Sequence, residues 1–200
     1  MISVYKLKPK FQQLLTPVLL FLHKNKITAN QITVASILLS VIIGVLFWNA
    51  GISKWLFLSL PIGLLVRMAL NALDGMMARK FNQTSKLGEV LNEVGDIISD
   101  VIIFFPLLKF QPESLYLIII FIVLSVINEF AGLMGKTVGK ERRYDGPMGK
   151  SDRALILGLY GLLMFSGVSI SSVSEYIFGT INILLVISTY TRLKKSLNEA

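Results

Sequence analysis

Apolar residues fall into six long runs, at 30–50, 55–73, 88–108, 114–135, 152–170 and 174–192, parted by short polar or basic stretches. Each run holds about 20 residues, the length at which a helix rising about 1.5 Å per residue crosses a hydrocarbon core of about 30 Å. None alternates with period 2 for long enough to read as a strand. Pro61, inside the second run, predicts a kink there. Ahead of the first run, Leu14, Leu15, Val18, Leu19 and Leu22 recur at helical spacing, with Lys6, Lys8 and Lys10 before them and Lys24 and Lys26 after. That is the pattern of a helix lying in the membrane interface. The predicted fold is therefore an all-α integral membrane protein with six transmembrane helices plus an N-terminal amphipathic interfacial helix. Residues 1–28 form the interfacial helix and 29–200 a six-helix membrane domain.

Composition agrees, with 54% hydrophobic residues against about 45–50% in soluble domains. The formal charge of +8 is explained by topology. With the N-terminus in the cytoplasm, 17 Lys and Arg fall on the cytoplasmic side, only Lys54 and Lys109 fall outside, and Arg67 lies within a span. Cytoplasmic loops collect such charge, so both termini and the loop after the second run are predicted to be cytoplasmic. Basic residues in short loops beside apolar runs point to topology rather than to nucleic-acid binding. The absence of cysteine excludes disulfides, zinc knuckles and thiol nucleophiles. The N-terminal stretch lacks the apolar core and small-residue cleavage site of a signal peptide.

Residues 70–100, LNALDGMMARKFNQTSKLGEVLNEVGDIISD, place acid at membrane depth. On a helix turning about 100° per residue, Glu89, Asn92, Glu93, Asp96 and Asp100 share an arc of about 100°. Asn71 and Asp74, three apart, share a face of the preceding helix. Ionisable groups so placed face a bundle interior or a wet cavity. Acids packed together repel, and a hard divalent cation with oxygen ligands relieves that. Glu89, near the loop, also fits a surface carboxylate. Gly75 and Ala78 would let a bulky ligand approach the backbone, and Arg79 offers a fork for phosphate oxygens. Each of these has a plain alternative, in helix packing for the small residues and in topology for the arginine. Arg67 and Glu129, charged within spans, need partners, either each other or the polar cavity.

The stretch resembles the signature of the CDP-alcohol phosphotransferases, D-x2-D-G-x2-A-R-x8-G-x3-D-x3-D. Here it reads Asn71-x2-Asp74-Gly75-x2-Ala78-Arg79-x8-Gly88-x3-Asn92-x3-Asp96, with every spacing kept and six of eight positions identical. The six-span layout and KITANQIT at 26–33 fit as well, and the chain resembles the bacterial phosphatidylglycerophosphate-synthase-like members. The resemblance implies a membrane enzyme of phospholipid synthesis that moves a phosphatidyl group from a CDP-lipid, such as CDP-diacylglycerol, to an alcohol or alcohol phosphate and releases CMP. It implies a divalent metal, Mg or Mn, with Asp74 and Asp96 as ligands, Asp96 also as the base, and Gly75, Ala78, Arg79 and Gly88 at the CDP site. It further implies a homodimer, and basic residues near the fifth span that hold an acceptor's phosphate; Arg143, Lys150 and Arg153 are the candidates. These charges tilt the acceptor toward a phosphorylated alcohol such as glycerol 3-phosphate or an inositol phosphate. Each of the three also fits a topology charge touching lipid phosphates.

Asn71 and Asn92 depart from the pattern, standing where two metal-binding Asp belong. Three readings are open. Asp100 and Glu93, on the same arc, re-form the metal cluster with Asp74, Asp96, Asn71 and Asn92. Alternatively, the chain is a non-catalytic nucleotide-lipid-binding membrane protein that has lost the metal pair. In the third reading, the two Asn disable an otherwise ordinary site. A transporter with an acidic cation path would leave the Gly75, Ala78, Arg79 and Gly88 spacing without a role.

Overall fold

The computed structural model describes residues 8–198; Lys6 of the basic N-terminal cluster lies outside them, as does the side chain of Lys8. The described chain is all-helical: α1 Lys8–Lys24, α2 Ala29–Trp48, α3 Ser59–Lys80, α4 Lys86–Phe104, the single turn α5 Leu107–Phe110, α6 Leu115–Val138, α7 Lys150–Phe165 and α8 Ser174–Asn198. Four stretches are long and apolar enough to cross a membrane, Ala29–Trp48, Lys54–Lys80, Pro112–Val138 and Ser171–Asn198. By that measure the third and fifth predicted spans fall short. α4 carries Lys86, Glu89, Glu93, Asp96 and Asp100, and α7 is only 16 residues long and opens on Lys150, Asp152 and Arg153. The protein is an all-α membrane protein.

α2 packs between α3 and α4, α3 also meets α7, and α6 lies along α8. The helices are turned as lipid demands. Ile42, Val45, Leu65, Ile120, Val123 and Val186 are exposed, while α2 buries Thr33, Ser36, Ser40 and Gly44. Small and polar residues at helix contacts allow close approach and hydrogen bonding where lipid offers neither. A Cβ at Gly44 would lie 2.9 Å from the carbonyl oxygen of Ile102, so α2 and α4 touch almost backbone to backbone. One apolar core gathers Phe47, Phe57, Leu60, Ile103 and Tyr160; a second joins Leu19 of α1 to Ile32, Leu73 and Met77. α1 leaves Leu14, Leu20 and Phe21 exposed.

Pro61 lies at the start of its helix rather than inside it. α3 begins at Ser59, after a 3-10 turn over Lys54–Leu58, so Pro61 sits in the first turn, where its missing N–H is no loss. α2 starts on a capping box: Gln31 N–H donates to Thr28 Oγ1 at 3.3 Å and Thr28 N–H to Gln31 Oε1 at 2.9 Å. Ala29 N–H donates to Gln83 Oε1 at 2.8 Å, tying the α3–α4 loop to this end of α2.

The loop from 139 to 149 is docked over the bundle end. Arg143 N–H donates to Gly132 O at 2.9 Å, and the Asp145 carbonyl accepts from Ser188 Oγ at 3.2 Å and Arg192 Nε at 3.1 Å. The Asp145 carboxylate takes Arg143 Nε at 2.8 Å and Lys195. Burial pushes that carboxyl up, but Lys195 and Arg143 outweigh it and hold it below the ordinary carboxylate range. Its pairing is complete above that range and is lost as pH falls through the lowered value. Gly146 has φ +92°, and a Cβ there would sit 2.6 Å from Ser188 Cα. Gly146→Ala is therefore expected to destabilise the protein by about 1–3 kcal/mol, read as a lower thermal midpoint in detergent; an unchanged midpoint would show that the loop docks without needing this turn.

Candidate active site

A cavity of about 830 Å³ opens where α2, α3, α4, α7 and the 139–149 loop converge. Every position of the motif lines it: Asn71, Asp74, Gly75, Ala78 and Arg79 from α3, and Gly88, Asn92 and Asp96 from α4. A short loop joins the two helices, and Asn71 meets Asp96, 25 residues further on. Ser85 caps α4, its Oγ accepting from Gly88 N–H at 3.0 Å. A Cβ at Gly88 would lie 2.6 Å from Asn30 Oδ1, so the Asn30 side chain of α2 lies against this glycine. Arg79 folds back over Gly75, its guanidinium nitrogens 3.3 Å from where a Cβ would stand. Among the described residues no carboxylate pairs with it.

Asp74 is buried, and its Oδ2 accepts from Thr33 Oγ1 at 3.0 Å. Asn71 accepts from Ser36 Oγ at 2.6 Å and donates its amide to Asp96 Oδ1 at 3.2 Å. The same Asp96 oxygen pairs with Lys150, the first residue of α7, and lies 3.7 Å from Arg67 Nη2. Lys150 is the one acceptor-side candidate that lines the cavity.

Three predicted site residues are placed elsewhere. Asp100 is buried off the cavity, Oδ1 held by Arg67 at 2.7 Å and Oδ2 by Arg153 at 2.9 Å, so it does not join Asp74 and Asp96. Arg153 is fully buried and also grips Glu129 at 2.8 Å and the Met148 carbonyl at 3.0 Å; it holds the core rather than facing an acceptor. Arg143 turns to Asp145 in the loop. Glu93 is taken by Arg142 at 2.5 Å, and Glu89 by Lys136 at the surface. Arg67 and Glu129 do not pair with each other: Arg67 goes to Asp100, and Glu129 to Arg153 and Arg142.

Arg142 and Arg192 also line the cavity, although the sequence marked them only as topology charges. Burial opposes the charge on Arg142, and Tyr144, Glu93 and Glu129 outweigh it, keeping its guanidinium above the ordinary range. Thr33, Ser36 and Ser40 were legible in principle, as polar residues three and four apart inside an apolar run.

The set does not make the two-metal centre that the motif implies. Among the described residues, no three of His, Cys, Asp and Glu gather as a metal cage. Asn71 points its donor, not its carbonyl, at Asp96, and a lysine holds Asp96.

The CDP-alcohol phosphatidyltransferase family model matches residues 26–189. Inner membrane protein YnbA of Escherichia coli (strain K12) is 48% identical over 160 residues, which is 80% of this chain and 79% of that protein. Among solved structures, Mycobacterium tuberculosis phosphatidylinositol phosphate synthase (PgsA1) with CDP-DAG bound is similar at TM-score 0.75 and 22% identity, over 92% of this chain and 94% of that one. The same synthase in complex with manganese and citrate is similar at TM-score 0.74 and 22% identity, over 90% and 88%. At that identity the structural likeness speaks for the fold.

Proposed function

This chain belongs to the CDP-alcohol phosphatidyltransferase family, and on that premise we propose that it transfers a phosphatidyl group from a CDP-lipid, CDP-diacylglycerol first among them, to an alcohol or alcohol phosphate, releasing CMP. The observation that carries this reading is the convergence of all eight motif positions on one cavity of about 830 Å³, within the range that binds nucleotides and other cofactors. Arg79, free of a carboxylate, grips the donor pyrophosphate in a fork that suits phosphate oxygens. Gly75 and Ala78 let that group lie close to α3. Asp96 accepts the proton of the acceptor hydroxyl; the oxygen attacks the phosphorus that carries the lipid; the bond from that phosphorus to the bridging oxygen breaks, and CMP leaves with the bonding pair. Lys150, beside Asp96, faces the charge that develops on the transferring phosphate.

In the membrane we place α4 and α7 as the third and fifth of six spans, because Asp96, Asp100, Lys150 and Arg153 turn inward and their outer faces show Val90, Val94, Ile98, Leu155 and Leu159. α1 lies in the interface with Leu14, Leu20 and Phe21 toward lipid. Residues 1–28 and 29–200 are then its interfacial and membrane parts. The positive-inside asymmetry puts the cavity and both termini on the cytoplasmic side. The membrane is a bacterial inner membrane, as for the 48% identical relative, and the working form is the homodimer that the resemblance implies.

The test is CMP release by protein purified in detergent, supplied with CDP-diacylglycerol and a pool of alcohols and alcohol phosphates. Release is expected, and dividing the pool names the acceptor. Arg79→Ala is expected to raise the KM for donor roughly tenfold or more, the loss of a charged hydrogen bond to phosphate. Donor binding without CMP release from any acceptor would move the chain to the binding-protein reading.

A further inference from the structure

Most of the carboxylates inside this bundle are already ion-paired by protein cations. Five carboxylates sit around and beneath the cavity: Asp74, Glu93, Asp96, Asp100 and Glu129. Five cations, Arg67, Arg142, Lys150, Arg153 and Arg192, meet four of them, and Asp74 is held by the Thr33 hydroxyl instead. The contacts form one chain. Lys150 and Arg67 face Asp96; Arg67 and Arg153 share Asp100; Arg153, Arg142 and Arg192 converge on Glu129; Arg142 closes on Glu93. The carboxylates of the motif itself are reduced to Asp74 and Asp96, and two cations, Lys150 and Arg67, stand at Asp96.

Two divalent ions would bring four positive charges into an interior where protein cations already pair four of the five carboxylates. Four motif carboxylates would absorb them; two, one of them already paired with lysine, do not. At the remaining positions, Asn71 directs an N–H toward Asp96 and uses its oxygen on Ser36. An aspartate at 71 would set two carboxylates about 3 Å apart, a repulsion that a cation or a shared proton must relieve. With asparagine the contact is an ordinary hydrogen bond. Asn71 and Lys150 thus form one arrangement, in which an amide and a protein cation stand at Asp96.

We infer that this chain holds the pyrophosphate of its donor without a divalent metal, Lys150 and Arg79 carrying the charge that bound ions supply in the rest of the family. The inference rests on the CDP-lipid reading above and concerns how that donor is held. Lys150, at the first turn of α7 and paired with Asp96, lines the same cavity as Arg79. A lysine ammonium serves phosphate as a compact point charge and the guanidinium as a fork.

The experiment measures two things on the whole protein in detergent: calorimetric binding of a short-chain CDP-diacylglycerol in EDTA, Mg²⁺ or Mn²⁺, and Mn²⁺ binding by electron paramagnetic resonance without donor. The expected result is a donor affinity that agrees within about threefold across the three buffers, no saturable Mn²⁺ signal at submillimolar metal, and a loss of roughly tenfold or more in affinity for Lys150→Met. A triple variant, Asn71→Asp, Asn92→Asp and Lys150→Met, restores the carboxylates and removes the competing cation; it is expected to bind Mn²⁺ and to need metal for donor binding. Donor binding that appears only with Mg²⁺ or Mn²⁺, or saturable Mn²⁺ binding by the unaltered chain, overturns the inference and leaves the CDP-lipid reading intact. No donor binding in any buffer overturns that reading, and the inference with it.

Discussion

Asp96→Asn is expected to lower CMP release by about 10²–10⁴-fold, the range for removing a positioned general base. Asp96 lines the cavity at the end of the motif and is the carboxylate on which the other site groups converge: Lys150, the Asn71 amide and, at 3.7 Å, Arg67. Asparagine keeps the shape and can still accept from Lys150, so donor binding is expected to change far less than kcat. That split separates a chemical role from a structural one. Turnover within about tenfold of the unaltered protein would remove Asp96 as the base and leave Asp74, whose side chain is held by Thr33 at 3.0 Å, as the alternative.

Arg153→Leu is expected to cost about 3–5 kcal/mol of stability, the penalty for stripping one partner from a buried ionic group. The Arg153 side chain is fully buried and bonds Asp100 at 2.9 Å, Glu129 at 2.8 Å and the Met148 carbonyl at 3.0 Å. Leucine leaves Asp100 to Arg67 alone and removes one of three cations around Glu129. The readout is the thermal midpoint in detergent. Adding Asp100→Asn is expected to recover part of the loss, because an amide is cheaper to bury than an unpaired carboxylate. A midpoint unmoved by Arg153→Leu would mean the arginine is not structural and would reopen the acceptor role that the sequence suggested for it.

These two arginine and aspartate roles show where a linear reading stops. The period of the apolar runs, the charge asymmetry and the spacing from Asn71 to Asp96 are local properties, and helix geometry turns them directly into spans, faces and a shared wall. The structure accordingly places all eight motif positions on one cavity. Helix faces alone also made Asp100 look like a neighbour of Asp96, since the two are one turn apart. Yet Asp96 opens on the cavity and Asp100 lies beneath it, clamped by Arg67 and Arg153. One turn of a helix is enough to pass from a wet wall into the core. Likewise the basic stretch KTVGKERRYDGPMGKSDR offers six cations with nothing in their order to rank them. Their fates divide only once the loop docks: Arg142 on Glu93 and Glu129, Arg143 on Asp145, Lys150 on Asp96, Arg153 in the core.

The apolar periodicity makes the chain a helical membrane protein, and the motif's spacing marks eight positions that carry the family resemblance. What neutralises the acids depends on how the helices pack. A carboxylate in a low-dielectric interior must be balanced by the nearest available cation, and nearness there is set by how α3, α4, α6, α7 and α8 pack: Arg142 is 13 residues from Glu129 in sequence and Arg153 is 53 from Asp100. That packing places Lys150 on Asp96, where the motif leads one to expect a metal.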